Sequence, residues 1–132
     1  MAWTNKYIDI PFKPDGRDRS GLDCWGLVCL IYKEQLNIEL PLWSGVFKDQ
    51  SIGCLKQVAR SMAIERDRWV KVDKPEPFDV ILLRTGAYIW HVGVVLTPTT
   101  MLHVMSGINS VIESFTGLQW KNRVQEFRRY DR

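Results

Sequence analysis

Three residues of this 132-residue sequence have side chains suited to nucleophilic chemistry: Cys24, His91 and His103. The chain has three cysteines and only two histidines, so such residues are scarce. A cysteine nucleophile needs a general base and a group that orients that base. The two histidines are the candidates for those two tasks. Cys29 falls inside an apolar run and Cys54 within a second predicted helix, and we interpret both as small packing residues.

Cys24 lies at the predicted start of a helix, for which Ser20 or Asp23 is the expected N-cap. Residues 24–32 contain no charge, which predicts a helix buried on all sides. Pro41 follows as a stop signal. Free N–H groups at a helix start favour a thiolate and can hold an oxyanion, whereas the carboxylate of Asp23 opposes the anion.

The two histidines lie on consecutive predicted strands that are joined by residues 97–99. If these residues form a three-residue loop, Gly93 faces His103 and His91 lies two residues farther along the same face. A two-residue loop would put the histidines on opposite faces. The register of this hairpin therefore decides whether the histidines can form a pair.

The remaining pattern predicts an α+β fold in one domain over residues 1–132. Apolar residues at three- and four-residue spacing predict a second helix over about residues 50–66. The C-terminal half consists of short β-branched runs without an intervening helix, which predicts antiparallel strands. We interpret the basic tail, residues 121–132, as a solvated edge. The five predicted strands are 69–72, 78–84, 91–97, 101–106 and 110–115.

Composition excludes several other classes of protein. With 45% hydrophobic and 25% charged residues the chain is not disordered, and its net charge of +3 is too weak for a nucleic-acid binder. No apolar run approaches the roughly 20 residues of a membrane span, and the N-terminus has no secretory signal, so we expect a protein made in a cytoplasm. An odd number of cysteines excludes a full disulfide framework. A metal site formed by Cys24, His91 and His103 is not favoured by their spacing, and no metal or cofactor is expected.

Three motifs resemble those of the NlpC-type cell-wall endopeptidases, a family of papain-like cysteine peptidases. Residues 23–28, Asp-Cys-Trp-Gly-Leu-Val, are similar to the family's cysteine motif. Residues 77–80, Pro-Phe-Asp-Val, and 91–95, His-Val-Gly-Val-Val, are similar to two later motifs. The resemblance implies a papain-like NlpC-type fold, with N-terminal helices packed on an antiparallel sheet of about five to six strands.

The same resemblance implies a role for each candidate residue. Cys24 would be the nucleophile, His91 the general base, and His103 the residue that orients His91. Members of the family often have a tyrosine near the oxyanion site, at the position where this sequence has Phe12. The missing hydroxyl favours weak or altered activity.

The function implied by the resemblance is peptidoglycan hydrolysis. A cysteine endopeptidase of this kind cleaves an amide bond of the stem peptide, usually between D-γ-glutamate and the diamino acid, without a cofactor. Trp25, with Gly16 and Arg17 before it and Pro41 after the helix, is similar to a subgroup from tailed bacteriophages and prophages. That subgroup implies a virion protein of the tail tip, with other tail-tip proteins as partners, which is made in the host cytoplasm and acts in the bacterial cell wall.

Two alternatives stay open. One is a structural tail-tip or tail-assembly module with the same fold and little or no activity. The other is an amidase or acyltransferase that uses the same three residues on another bond.

Overall fold

The computed structural model describes residues 2–46, 52–85 and 88–131. A short 3-10 helix, Ala2–Tyr7, precedes a hairpin of two very short strands, β1 (Arg17–Asp18) and β2 (Gly21–Leu22). Two α-helices follow, α1 (Cys24–Leu36) and α2 (Ile52–Arg66). The main sheet contains β3 (Val70–Val72), β4 (Val80–Thr85), β5 (Tyr88–Val95), β6 (Thr100–Met105), β7 (Ile108–Ser114) and β8 (Val124–Arg129).

The main sheet is antiparallel with the strand order β3-β8-β4-β5-β6-β7. The α+β class and the meander of β4 to β7 confirm the prediction from the sequence. The interpretation of the tail was wrong, because β8 lies between β3 and β4 and pairs with both strands. Its charges are accommodated by ion pairs: Arg129 binds Asp79 at 2.8 Å and Arg128 binds Glu126 at 2.8 Å.

Helix α1 begins at the cysteine because Asp23 caps it. The Asp23 side chain accepts a hydrogen bond from the Gly26 amide at 2.7 Å, so Asp23 and not Ser20 is the N-cap. Asn37 ends the helix in a left-handed conformation. The helix is buried along most of its length, as its uncharged sequence predicts.

Apolar side chains cover both faces of the main sheet. Along β5, Val92 and Val94 belong to the large cluster that includes α1, whereas Val95 belongs to a smaller cluster on the other face. In α2, Val58 and Met62 are buried as the apolar stripe predicts; the side chains of the predicted stripe residues 52 and 55 lie outside the described ones. Among the described residues, no helix is long and apolar enough to cross a membrane.

Candidate active site

Cys24 is the first residue of α1 and its thiol is buried against β5. The amide N–H groups of Trp25 and Val92 hydrogen-bond its sulfur. Amides of every second residue in a strand point to the same neighbouring strand. The amide of Leu96 donates to Thr100 on β6, so the amide of Val92, four residues earlier, also points toward β6. The pair of residues between β5 and β6 that lies closest to Val92 is Val94 and Leu102. The thiol thus lies near where the two strands diverge, one residue from His91.

Asp23 fixes the segment before the helix to the helix start. Its two carboxylate oxygens accept hydrogen bonds from the Arg17 guanidinium at 2.7 Å and from the Asp15 amide at 3.0 Å. Burial raises the pKa of Asp23, while the charge of Arg17 opposes that rise. The acid of the Asp-Cys motif therefore caps the helix and forms a largely buried ion pair.

Gly26 of the same motif is required by close packing. A β-carbon at this position would lie 2.1 Å from the carbonyl oxygen of Gly16 and 3.1 Å from the Arg17 guanidinium. Only glycine lets the preceding segment approach the first turn of α1 so closely.

His91 and His103 form a direct pair. The Nε2 atom of His91 lies 2.9 Å from the Nδ1 atom of His103, and both rings are buried. Val95 pairs with Met101, which is the register of the three-residue loop and confirms that the histidines share a face. Gly93 makes room for them, since a β-carbon there would lie 3.2 Å from the β-carbon of His103.

Two residues that the sequence analysis missed complete this pair. Glu113 on β7 lies 3.0 Å from His103, between Oε1 and Nε2. Trp120, in the loop before β8, donates its indole N–H to the other oxygen of Glu113 at 3.1 Å. Its ring stacks on His91 with 5.7 Å between ring centres. A charged residue within the otherwise uncharged β7 was the available signal for Glu113.

Burial sets the charge state of the site. It raises the pKa of the Cys24 thiol to about 12, and the neighbouring Asp23 charge adds to the rise. It lowers the pKa of His91 to about 3, with a further contribution from His103. Burial also lowers the pKa of His103, against the effect of Glu113. At the helix start burial and the Asp23 charge therefore outweigh the N–H groups that favour a thiolate, and the thiol and both imidazoles are neutral in the resting site.

The other candidates have mainly packing contacts. Cys29 is buried and Cys54 packs against the main cluster, as predicted. Trp25 is buried with its ring edge-on to that of Trp69. Trp43 donates its N–H to a buried acid of α2, and the side chain of residue 90 lies outside the described ones.

The segment that precedes the cysteine passes close to α1. Phe12 forms a bridge with Leu22 and is half-buried against the main cluster.

Within the described ranges, no group of three or more histidine, cysteine or acidic side chains is arranged to hold a metal ion.

Comparison with known proteins gives the fold and the site a family. The sequence is 28% identical over 128 residues to the Escherichia coli K12 protein named murein DD-endopeptidase MepS/murein LD-carboxypeptidase. The match covers 95% of this chain and 60% of the relative, so the chain spans about three fifths of that protein.

Solved structures show the same fold. An NLP/P60 lipoprotein-like structure from Staphylococcus aureus Mu50 superimposes with a TM-score of 0.68 at 20% identity, over 96% of this chain and 38% of the other. The NlpC/p60 domain of the peptidoglycan hydrolase SagA gives 0.63 at 18% identity, over 96% and 92%. The NlpC/P60 family model matches residues 9–129, so this chain belongs to the NlpC/P60 family.

Proposed function

We propose that this chain is a cysteine peptidase that hydrolyses an amide bond in the stem peptide of peptidoglycan. The observation that carries the proposal is the buried His91–His103 pair, together with the hydrogen bond from the amide of Val92, the residue after His91, to the Cys24 sulfur at the start of α1. Peptidoglycan as the substrate is supported by the family and by the name of the Escherichia coli relative. The bond between D-γ-glutamate and the diamino acid is our specific proposal, since the family motifs imply it.

In the proposed mechanism, His91 removes the proton of Cys24 as the thiolate attacks the carbonyl carbon. His91 Nε2 is bonded to His103, so Nδ1 is the nitrogen that takes the proton. The N–H groups at the start of α1 stabilise the oxyanion. His91 then protonates the leaving amine, and a water molecule activated by His91 hydrolyses the thioester.

The resting charges make proton transfer part of the attack. A thiol whose pKa lies near 12 does not ionise on its own at neutral pH. The bound carbonyl and the oxyanion-stabilising N–H groups supply the interactions that favour charge separation only once substrate is in place. His103 holds the ring of His91 during both proton transfers.

Digestion of purified peptidoglycan with product identification by mass spectrometry tests the proposal. Cleavage after D-γ-glutamate releases the diamino acid with its attached residues, whereas cleavage of cross-links converts dimers to monomers, and a carboxypeptidase removes one terminal residue. We expect the first pattern from the wild-type chain and no products from Cys24→Ala. Cys29→Ala is the matched control and retains the wild-type pattern. Identical products from wild type and Cys24→Ala, or none from either, would overturn the proposal.

The finer proposal of a phage tail context is supported by the residues that resemble the tail subgroup. These residues contact one another: Trp25 donates its indole N–H to the Pro41 carbonyl at 2.8 Å, and Arg17 donates to the Gly16 carbonyl at 2.7 Å. We expect the chain in tail-tip fractions of purified virions by mass spectrometry. Its absence from intact particles would contradict this context.

Phe12 supports the structural-module alternative, because the hydroxyl expected near the oxyanion site is missing. A chain that is incorporated into tails and releases no product from peptidoglycan would establish that alternative. An amidase or acyltransferase would instead give products in which the stem peptide is intact.

A further inference from the structure

We propose that Glu113 is a positioning residue that fixes the tautomers of both histidines and leaves Nδ1 of His91 without a proton. The catalytic consequence rests on the function proposed above. The positioning itself is a property of the folded chain and is measurable without substrate.

The argument begins with the carboxylate. An ionised carboxylate only accepts hydrogen bonds, so the His103 Nε2 atom that lies 3.0 Å from Glu113 must carry a proton. Burial keeps the pKa of His103 below its ordinary value, so the ring holds one proton and its Nδ1 atom is an acceptor. The opposite tautomer would direct a nitrogen lone pair at the carboxylate.

The second step transfers this constraint to His91. Because His103 Nδ1 is an acceptor, the His91 Nε2 atom 2.9 Å away must donate. The neutral ring of His91 then has its lone pair on Nδ1. A general base needs that lone pair, so the carboxylate selects the competent tautomer from two rings away.

Trp120 holds the carboxylate in place. Its indole N–H donates to Oε2 of Glu113, while Oε1 accepts from His103. The indole is fully buried, stacks on His91 and meets the ring of His103 edge-on. Glu113, His103 and His91 are therefore fixed relative to one another by a single side chain.

The charged groups around the histidines come from three elements. Glu113 faces them from β7, Arg123 lies 5.3 Å over the Trp120 ring, and Asp23 with Arg17 lies at the helix start beside Cys24. Of these, Glu113 is the group in direct contact with the histidine pair. Its negative charge stabilises the imidazolium that forms when His91 takes the thiol proton.

Glu113→Gln is the informative variant, because an amide either accepts from or donates to His103 and no longer selects one tautomer. Nitrogen NMR of the histidine rings at neutral pH is expected to show Nε2-protonated tautomers for both rings in the wild type. In Glu113→Gln we expect a second population in which Nδ1 of His91 is protonated. Glu39→Gln, at an exposed position between the two helices, is the matched control and leaves the spectra unchanged.

Kinetics give a second readout that a general loss of stability would not reproduce. We expect kcat of Glu113→Gln to fall roughly 10- to 100-fold with KM nearly unchanged, since only part of the general acid-base contribution is lost. The acidic limb of the pH profile of kcat/KM should move to lower pH, because the carboxylate no longer stabilises the imidazolium. Trp120→Phe keeps an aromatic ring but loses the N–H, and we expect a smaller change in the same direction.

A Glu113→Gln protein with wild-type tautomers, or with wild-type kcat and pH profile, would overturn the positioning role. If the wild-type chain releases no product from peptidoglycan but the tautomers respond as described, the positioning role is supported and the proposed activity fails. The two proposals are thus separable by experiment.

Discussion

The two halves of the candidate site are built in different ways. At the helix start, Asp23, Cys24 and Gly26 lie within four residues, and residues 15–17 fix them through short-range hydrogen bonds. The imidazole half instead uses residues 91–120, which come from three strands and a loop. A helix cap places the proposed nucleophile, Cys24, whereas strand register places the proposed base, His91.

Each half also contains an acidic residue. Asp23 disfavours the charged form of the neighbouring thiol, whereas Glu113 favours the charged form of the neighbouring imidazole. Asp23 lies beside the thiol and raises its pKa, so it disfavours the thiolate. Burial lowers the pKa of His103, and Glu113, which contacts this ring, opposes that lowering and so favours a positive charge on the histidine pair. Asp23 has a cationic partner in Arg17, while Glu113 is bonded to neutral donors. Asp23 therefore stabilises the helix start, while Glu113 stabilises a positive charge on the histidine pair.

Loss of His91 should have the largest effect. His91→Asn removes the group that takes the thiol proton in the proposed mechanism, and general acid-base catalysis contributes roughly 10²- to 10⁴-fold. His103→Asn retains a side-chain oxygen that can accept from His91, so its loss of kcat should be clearly smaller. Initial rates of product release measured by mass spectrometry test this order. Equal losses in the two variants would contradict the division of tasks between the histidines.

The capping acid is the next test, and it addresses the helix half. Asp23→Asn keeps a capping oxygen but removes the carboxylate charge 2.7 Å from the Arg17 guanidinium, whose remaining acidic partner is Asp15 at 3.7 Å. We expect the free energy of unfolding to fall by about 2 kcal/mol, less than the roughly 3 to 5 kcal/mol lost when a buried charge is left with no partner. The pKa of the Cys24 thiol should also fall, because the Asp23 charge that raises it is gone.

Urea unfolding measures the first effect, and the pH dependence of iodoacetamide alkylation at Cys24 measures the second. Asp67→Asn, at an exposed acid after α2, is the control and should change stability by less than about 0.5 kcal/mol. An unchanged thiol pKa in Asp23→Asn would show that burial alone sets it.

Much of the helix half follows from the sequence, because its signals are local. The uncharged run, the N-cap and the motif around Cys24 all lie within residues 20–41. The pairing of His91 with His103 follows only once a loop length is chosen. Glu113 and Trp120 are not predicted, since their positions depend on the β6–β7 register and on a loop closed by β8. The high charge of β8 predicted a solvated edge, whereas the strand lies between β3 and β4 in the sheet.

A pair of glycine substitutions sharpens the claim that close packing fixes the helix start. Gly26→Ala places a methyl group 2.1 Å from the Gly16 carbonyl, and we expect a loss of about 2 to 3 kcal/mol in the free energy of unfolding. Gly53 lies in the first turn of α2 with nothing within 4 Å of a β-carbon, so Gly53→Ala should stabilise by up to about 1 kcal/mol. Urea unfolding of both variants tests the contrast, which fails if the two substitutions shift stability in the same direction.

The pH dependence of stability concerns the imidazole half. His91 has its pKa lowered to about 3 from an ordinary value of 6.5, so between these values the unfolded chain binds a proton that the folded chain excludes. The contribution of the neutral His91 ring to stability is therefore fully present above about pH 6.5 and is lost as the pH falls toward 3. At about pH 5 this linkage costs about 2 kcal/mol relative to about pH 7. His91→Gln should lose correspondingly less stability between these two conditions, while His103 contributes in the same direction to both proteins. Equal losses in urea unfolding would mean that the buried ring accepts a proton in the folded state, and that the imidazole half is charged where the structure makes it neutral.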